Sequence, residues 1–498
     1  MNDKSDEPAN PLAQSSVCAL LCLAVVAQFA VTAYANGFTI GPLIQVSQDP
    51  DPLTGCDTGF RPPGNMNFTD QFETRVVVDP TDPSHLVATW VGHDLQANFV
   101  GLSFDGGATW QETVLPGITT CTGGPFVAAV DPYLRSIAPN GDIYLASVGF
   151  AGPSAAILVN KSTDGGMTWT MPITIDQING AGTFDDKPST TADPANPLIA
   201  YVVFERAANS GTASTFFSRT TDGGRTWDAA RQIADPGNKN ANTGHQILVL
   251  PDGTVVLFFS HEERRGATYT TSLATLRSTD HGQTWLPSGG PVLGPEIKSI
   301  NPSDPTIGAT DPDTGVKLYE FTAAVAFAAV DRRSGALYAV WEDSRFSQGQ
   351  YNSIAFSQSP DGGLTWSEPV AINRTPNNIP PADRQAFRPS IAVAANGTIG
   401  VTYYDFRFND ASPGTLTDYW LVSLRPTPQQ PAMDPSSWQD EVRLTDSSFD
   451  LQAAPIFFRG EFVGDSDGLA TVGSDFVAVW SMPSGTDQGN IYFRRVGP

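Results

Sequence analysis

The chain has 498 residues, and its 52 acidic side chains outnumber 28 basic ones to give a formal net charge of −24. That balance repels nucleic acid and anionic membrane surfaces, which argues against both as partners. Only 16% of residues are charged, so the acidity reflects scarce Lys and Arg, and the 46 Gly and 40 Pro spread along the chain point to many turns and an all-β fold.

From the N-terminus, the first feature is the uncharged apolar run VCALLCLAVVAQFAVTAYA at 17–35. It ends in Ala33-Tyr34-Ala35, a small-x-small cleavage pattern, and reads as a secretory signal covering 1–35. A single domain, 36–498, would remain in a secreted or periplasmic protein with no membrane insertion after cleavage. The run is also long enough to span a bilayer, and Asp3, Asp6 and Glu7 flank the lone Lys4, so an uncleaved anchor is the alternative. Cys18 and Cys22 lie inside the run; Cys56 and Cys121 remain and are expected to pair in an oxidising compartment.

Next come five versions of one octapeptide: SFDGGATW (103–110), STDGGMTW (162–169), TTDGGRTW (220–227), STDHGQTW (278–285) and SPDGGLTW (359–366). Their aspartates, Asp105, Asp164, Asp222, Asp280 and Asp361, are 59, 58, 58 and 81 residues apart, and their tryptophans are Trp110, Trp169, Trp227, Trp285 and Trp366. A strand-rich repeat of this length suggests propeller blades. Within 187–233 the pattern predicts strands near Ser189–Ala192, Leu198–Phe204, Thr215–Arg219 and Ala230–Ile233, with the octapeptide as the turn between the third and fourth. Asp and Gly suit such a turn, and Trp is a large apolar plug between neighbouring blades.

The octapeptide resembles the Asp box, S/T-x-D-x-G-x-T-W, of the sialidase (neuraminidase) superfamily. The resemblance implies a β-propeller in which the boxes are structural and lie away from the active site. Residues 387–444 and 461–495 read as two further blades without a box, and the last stops after a third strand. GPLIQVS (41–47) is similar to the fourth strands EPVAIN and DEVRLT, so the N-terminal strand is expected to close the last blade. That makes seven blades, with six, the usual sialidase number, as the alternative.

If the box turns occupy one end, the other end gathers the ends of second strands and the starts of first strands. Arg75, Arg206, Arg264, Arg345, Arg388 and Arg407 are then expected to ring one mouth as substrate-binding residues, since arginine clamps carboxylates. The alternative is that each staples adjacent blades through a neighbouring carboxylate. The resemblance implies a Tyr nucleophile assisted by Glu, with an Asp acid/base. Tyr404, Glu205, Glu342, Asp94 and Asp186 are the candidates that fall on this face, with Glu262 a further one for the Glu. Phe387-Arg388-Pro389 is only partly similar to the family's Y/F-R-I-P motif.

No metal-ligand spacing occurs among the five histidines, and no cofactor is expected. Asp465-Ser-Asp467-Gly468 and Asp311-Pro-Asp313-Thr-Gly315 have the look of calcium loops but read first as Asx turns. The functional expectation is a secreted sialidase-like glycoside hydrolase acting on acidic glycans. The alternatives are a non-catalytic propeller that binds glycan or protein, and a lyase of uronate polymers using His93, His245 or His261 as base.

Overall fold

A computed structural model describes residues 32–33, 37–266, 268–300, 307–319, 326–458 and 460–497. Apart from Thr32–Ala33, the apolar run 17–35 lies outside the described residues. No helix in the described residues is long and apolar enough to cross a membrane.

The chain is all-β, organised in four-stranded antiparallel units. The first runs Phe72–Val78, Leu86–Gly92, Ala97–Ser103 and Gln111–Val114. Ala128–Tyr133 opens the second, Thr183–Ala192 the third and Ala241–Val249 the fourth. Phe327–Val330 opens the next unit and Ala386–Val393 the one after. In 183–234 the strands come in the expected order but reach further, as Thr183–Ala192, Ala200–Ala208, Ala213–Thr220 and Arg231–Ala234. The extra length before the fifth box contains a small hairpin, Ile307–Thr310 with Lys317–Tyr319.

The last unit, Gly468–Val472, Asp475–Ser484 and Asp487–Gly497, takes its outer strand from the N-terminal segment. Ile44 and Gln45 lie opposite Phe493 and Tyr492, and the Val46 amide donates to the Ile491 carbonyl at 2.7 Å. The first strands of successive units touch one another, and Gly468–Val472 touches Phe72–Val78.

Each box is a hairpin turn built by its own side chains. In the first, Asp105 accepts from the Thr109 amide at 2.9 Å and from its hydroxyl at 2.6 Å, while the Gly107 amide donates to Ser103 Oγ at 2.8 Å. Asp164, Asp222, Asp280 and Asp361 hold Thr168, Thr226, Thr284 and Thr365 in the same way.

Boxes also join units. Trp110 packs on Phe493, Trp227 on Tyr144, Trp285 on Phe217 and Trp366 on Phe258, with ring centroids 5.2, 6.1, 5.3 and 5.8 Å apart. Trp169 joins the apolar cluster around Leu102 and Leu145. A cation on the preceding unit's third strand donates into the box backbone: Lys161 to Gly223, Arg219 to His281 and Arg277 to Asp361, at 2.8, 2.6 and 2.8 Å. Box amides also bond the turn between the first two strands, Gly106 to Ser84 and Gly223 to Leu198 at 2.8 and 2.9 Å, so both turns share one end of the molecule.

Cys56 and Cys121 are joined by a disulfide, their Cα atoms 5.8 Å apart. It pins the segment before the first unit to the loop that follows it.

Candidate functional site

At the other end, five first strands begin with a bulge. Register slips fall between Phe72 and Arg75, Val130 and Tyr133, Asp186 and Ser189, Thr243 and Gln246, and Phe387 and Ser390. Each slip holds a left-handed residue: Glu73 (φ 62°), Asp131 (52°), Lys187 (50°), Gly244 (67°) and Arg388 (50°). Four of the five are not glycine, so the backbone accepts strain at this one place in successive strands, as functional sites often do.

The bulges assemble a charged cluster. Carboxylate oxygens of Glu73, Asp131 and Asp465 lie within 4.8 Å of one another. Lys187 Nζ stands 2.5 Å from Asp465 and 3.3 Å from Asp131, so an ammonium already serves these acids. These side chains, with Tyr133, His245 and Phe327, line a cavity of about 60 Å³.

Burial raises Glu73 and Asp186 well above the usual carboxylate range, aided by the charges of Asp465 and Asp131. Burial also lifts Glu205 and Glu262 to about 7, and each keeps one buried oxygen with no hydrogen-bond partner. Asp465 moves the other way, because Lys187 outweighs its burial. Burial holds His245 neutral, down to about 3, with Nε2 2.9 Å from the Thr215 hydroxyl. The site therefore sets carboxyls that burial pushes up beside one that Lys187 holds down.

The ring of free arginines expected from the sequence does not form. Arg206 lies directly across the strands from Asp185, grips it at 2.7 and 2.8 Å, also meets Asp176, and stacks on Phe216. Arg345 holds Asp343 at 2.8 Å. Arg407 holds Asp405 and Glu441 at 2.7 and 2.5 Å, 3.6 Å over Trp420. Arg388 is buried on Asp467 at 3.1 Å. Arg264 is exposed at the far tip of its strand beside Tyr269. Arg75 alone faces the central cluster without an ion pair among the described residues, its guanidinium 4.5 Å from the Tyr133 ring. Arginines at strand ends found partners because carboxylates stand two residues away or directly opposite on the next strand.

Of the other candidates, Asp186 and Glu205 join the cluster. Tyr404 does not: it is 0% exposed, donates to the Ser481 carbonyl at 2.9 Å, and packs among Phe387, Tyr419 and Phe449. Burial pushes its phenol well up, so it cannot act as a substrate-facing nucleophile. Glu342 is a backbone clamp, accepting from the Arg388 amide at 3.0 Å and from Asn352 at 2.7 Å. Asp94, raised to about 6 mainly by burial, lies apart, 3.9 Å from Arg61 and next to the His93–Asp51 pair.

The two calcium-like loops are otherwise employed. Asp311 accepts from the Asp313 amide at 2.8 Å and the Thr415 hydroxyl at 2.6 Å, an Asx turn. Asp465 and Asp467 serve Lys187 and Arg388.

Glu73, Asp131 and Lys187 were not among the residues singled out from the sequence. Their shared signal is positional: each is the left-handed residue of the bulge in a first strand.

Residues 75–289 match the BNR repeat-like domain. Among solved structures, the chain is similar to a Penicillium chrysogenum α-L-arabinanase complexed with arabinobiose, with 14% identity, 88% of this chain and 96% of that one covered, and a TM-score of 0.44. It is also similar to a Hadza microbial sialidase (16%, 84% and 74%, 0.45) and to a Fusarium graminearum GH93 α-L-arabinofuranosidase (13%, 88% and 95%, 0.42). Comparison with curated proteins gives no match.

Proposed function

On the premise that residues 75–289 form a BNR repeat-like domain, we propose that the chain is a glycoside hydrolase built as a seven-bladed propeller, with its chemistry at the bulge-lined mouth. The cyclic contact of first strands and the pairing of Ile44–Gln45 with the last strand support the blade count. One observation carries the activity: burial holds Glu205 near 7 in the field of Lys187, which pairs with the ionised Asp465, while Glu262, near Glu205, is also raised to about 7 by burial. Glycoside hydrolysis needs a protonated carboxyl to give the leaving oxygen its proton and an ionised one to support the positive sugar centre. Environments that drive carboxyl pKa values apart supply both. Glu205 is the general acid in this reading, and Asp465 the ionised partner.

A clamp for a sialic acid carboxylate needs free arginines, and the chain's own carboxylates occupy Arg206, Arg345, Arg388 and Arg407. The substrate is therefore read as a neutral glycan. The sialic acid-type substrate keeps one supporting observation, the unpaired Arg75.

The test is release of nitrophenol by the purified protein from a neutral aryl α-L-arabinofuranoside and from an aryl α-sialoside. Release from the neutral glycoside is expected, and Glu205→Gln should cut hydrolysis of an alkyl α-L-arabinofuranoside, whose leaving oxygen needs a proton, about 100-fold while largely sparing the nitrophenyl one. Release from the sialoside alone would return the acidic-glycan reading. Release from neither by folded protein would leave a non-catalytic glycan- or protein-binding propeller, or a lyase detectable by unsaturated uronate absorbance.

We further infer export with cleavage after Ala35, which the Cys56–Cys121 disulfide supports. An N-terminal mass starting at Asn36 is expected for the mature protein; an intact Met1 terminus in the membrane fraction would instead mean an anchor.

A further inference from the structure

A larger cavity, of about 600 Å³, runs between the first strands from the bulges to the turns at the box end. Arg75, Arg135 and Arg332 line it, together with Tyr133 and Gln246. Three guanidiniums in one cavity are conspicuous in a chain of net charge −24.

None of the three is closed off by a carboxylate in contact, although Arg75 lies in the field of Asp465 and Asp467 and Arg332 in that of Asp193. Arg135 donates to Gln246 Oε1 at 3.2 Å and to the Ala328 carbonyl. Arg332, at the exposed rim, donates to the Val249 carbonyl at 3.1 Å, and Arg75 to the Thr74 carbonyl at 3.3 Å. No ion pair is made by any of the three among the described residues; Arg135 also hydrogen-bonds the Tyr133 phenol. Two carboxylates line the same cavity, and both are engaged: Asp79 with Thr81 and His85, Asp467 with Arg388 and Tyr404. Several arginines elsewhere, Arg206, Arg345 and Arg407 among them, are held by carboxylates. The field has a visible effect: burial opposes ionisation of Tyr133, yet Arg75 and Arg135 together bring its phenol below the ordinary range. Desolvation and then the proximity of Arg135 lower Arg332.

We propose that this cavity binds a small oxyanion, held by Arg75, Arg135 and Arg332 and reached from the box end. Guanidinium forks suit carboxylate, sulfate and phosphate oxygens alike, and neutral side chains such as Thr191, Gln246 and Ser390 line the same cavity as further hydrogen-bonding groups. The proposal does not depend on the mouth being catalytic.

Calorimetric titration of the purified protein with sodium sulfate, inorganic phosphate and sodium glucuronate at low ionic strength tests it directly. One saturable site is expected, weakened at least about tenfold by Arg135→Gln and by Arg332→Gln. Arg225→Gln, an exposed box arginine, should leave it unchanged. Tighter glucuronate would identify a carboxylate ligand; tighter sulfate or phosphate would identify a tetrahedral one. Should Arg135→Gln fail to fold, the rim variant Arg332→Gln decides. Absence of saturable binding with all three anions, or binding that the folded arginine variants do not weaken, would overturn the proposal.

Discussion

The glycine at the fifth position of each box is fixed by what lies against it. Gly107 has φ +96°, and a Cβ there would meet the Phe493 ring at 2.1 Å; the equivalent distances are 2.6 Å at Gly166 to Leu102 and 2.4 Å at Gly282 to Phe217. Gly107→Ala is expected to cost about 1–3 kcal/mol through overpacking, with backbone strain in addition. Urea unfolding measures this, and an unchanged midpoint would contradict the contact. Titration adds a second residue-scale effect. Hydrogen bonds from Thr226 bring Asp222 down to about 2, and Thr284 likewise depresses Asp280. A depressed carboxyl contributes stability above its unfolded pKa, and that contribution is lost as pH falls from about 4 through 2. Glu205 and Glu262 are raised, so they favour the fold below about 4.5 and lose that effect as pH rises to about 7. The melting temperature should therefore peak near pH 4–5, and Glu205→Gln should flatten the decline toward pH 7. Hydrolysis by a Glu205 general acid should likewise fall as pH rises through about 7.

At the scale of elements, the boxes were legible because their bonds are local: Ser103, Asp105, Gly107 and Thr109 sit within seven residues and define one turn. The face that carries the charged cluster was also legible, since strand order alone decides which loops share an end. Pairing was not. Arg206 meets Asp185 only because a bulge at 186–189 sets that register, and Asp131 comes to Glu73 and Asp465 only through packing of separate strands. Tyr404 misled for a related reason, since a strand end on the right face still has one side turned into the core. The disulfide is an element-scale tie between segments 65 residues apart. Replacing Cys56 and Cys121 with Ser should lower stability by about 4 kcal/mol on the chain-entropy estimate, read as a drop in denaturation midpoint.

For the whole molecule, cohesion comes from repeated joints between units, each made of a box tryptophan and glycine, with Lys161, Arg219 and Arg277 adding a cation from the preceding third strand at three of them. One joint differs in origin. Phe493 and Arg495, near the C-terminus, press on Gly107 and Gly106 of the first box, and the sheet they belong to includes Ile44–Gln45. Deleting residues 37–47 removes Val46 and Ile44 from the cluster around Phe493 and leaves the strand Asp487–Gly497 with an open edge there. Such a truncation is expected to aggregate, with light scattering as the readout.

The pairing of residues 44–46 with 491–493 also imposes an order in time. Residues 44–46 leave the ribosome long before the strand they pair with. Throughout synthesis one seam stays unstitched, and every intermediate length of chain carries a strand without its mate. A nascent chain cut short of 491 leaves residues 44–46 without their partner, so this sheet is finished only when the strand Asp487–Gly497 arrives.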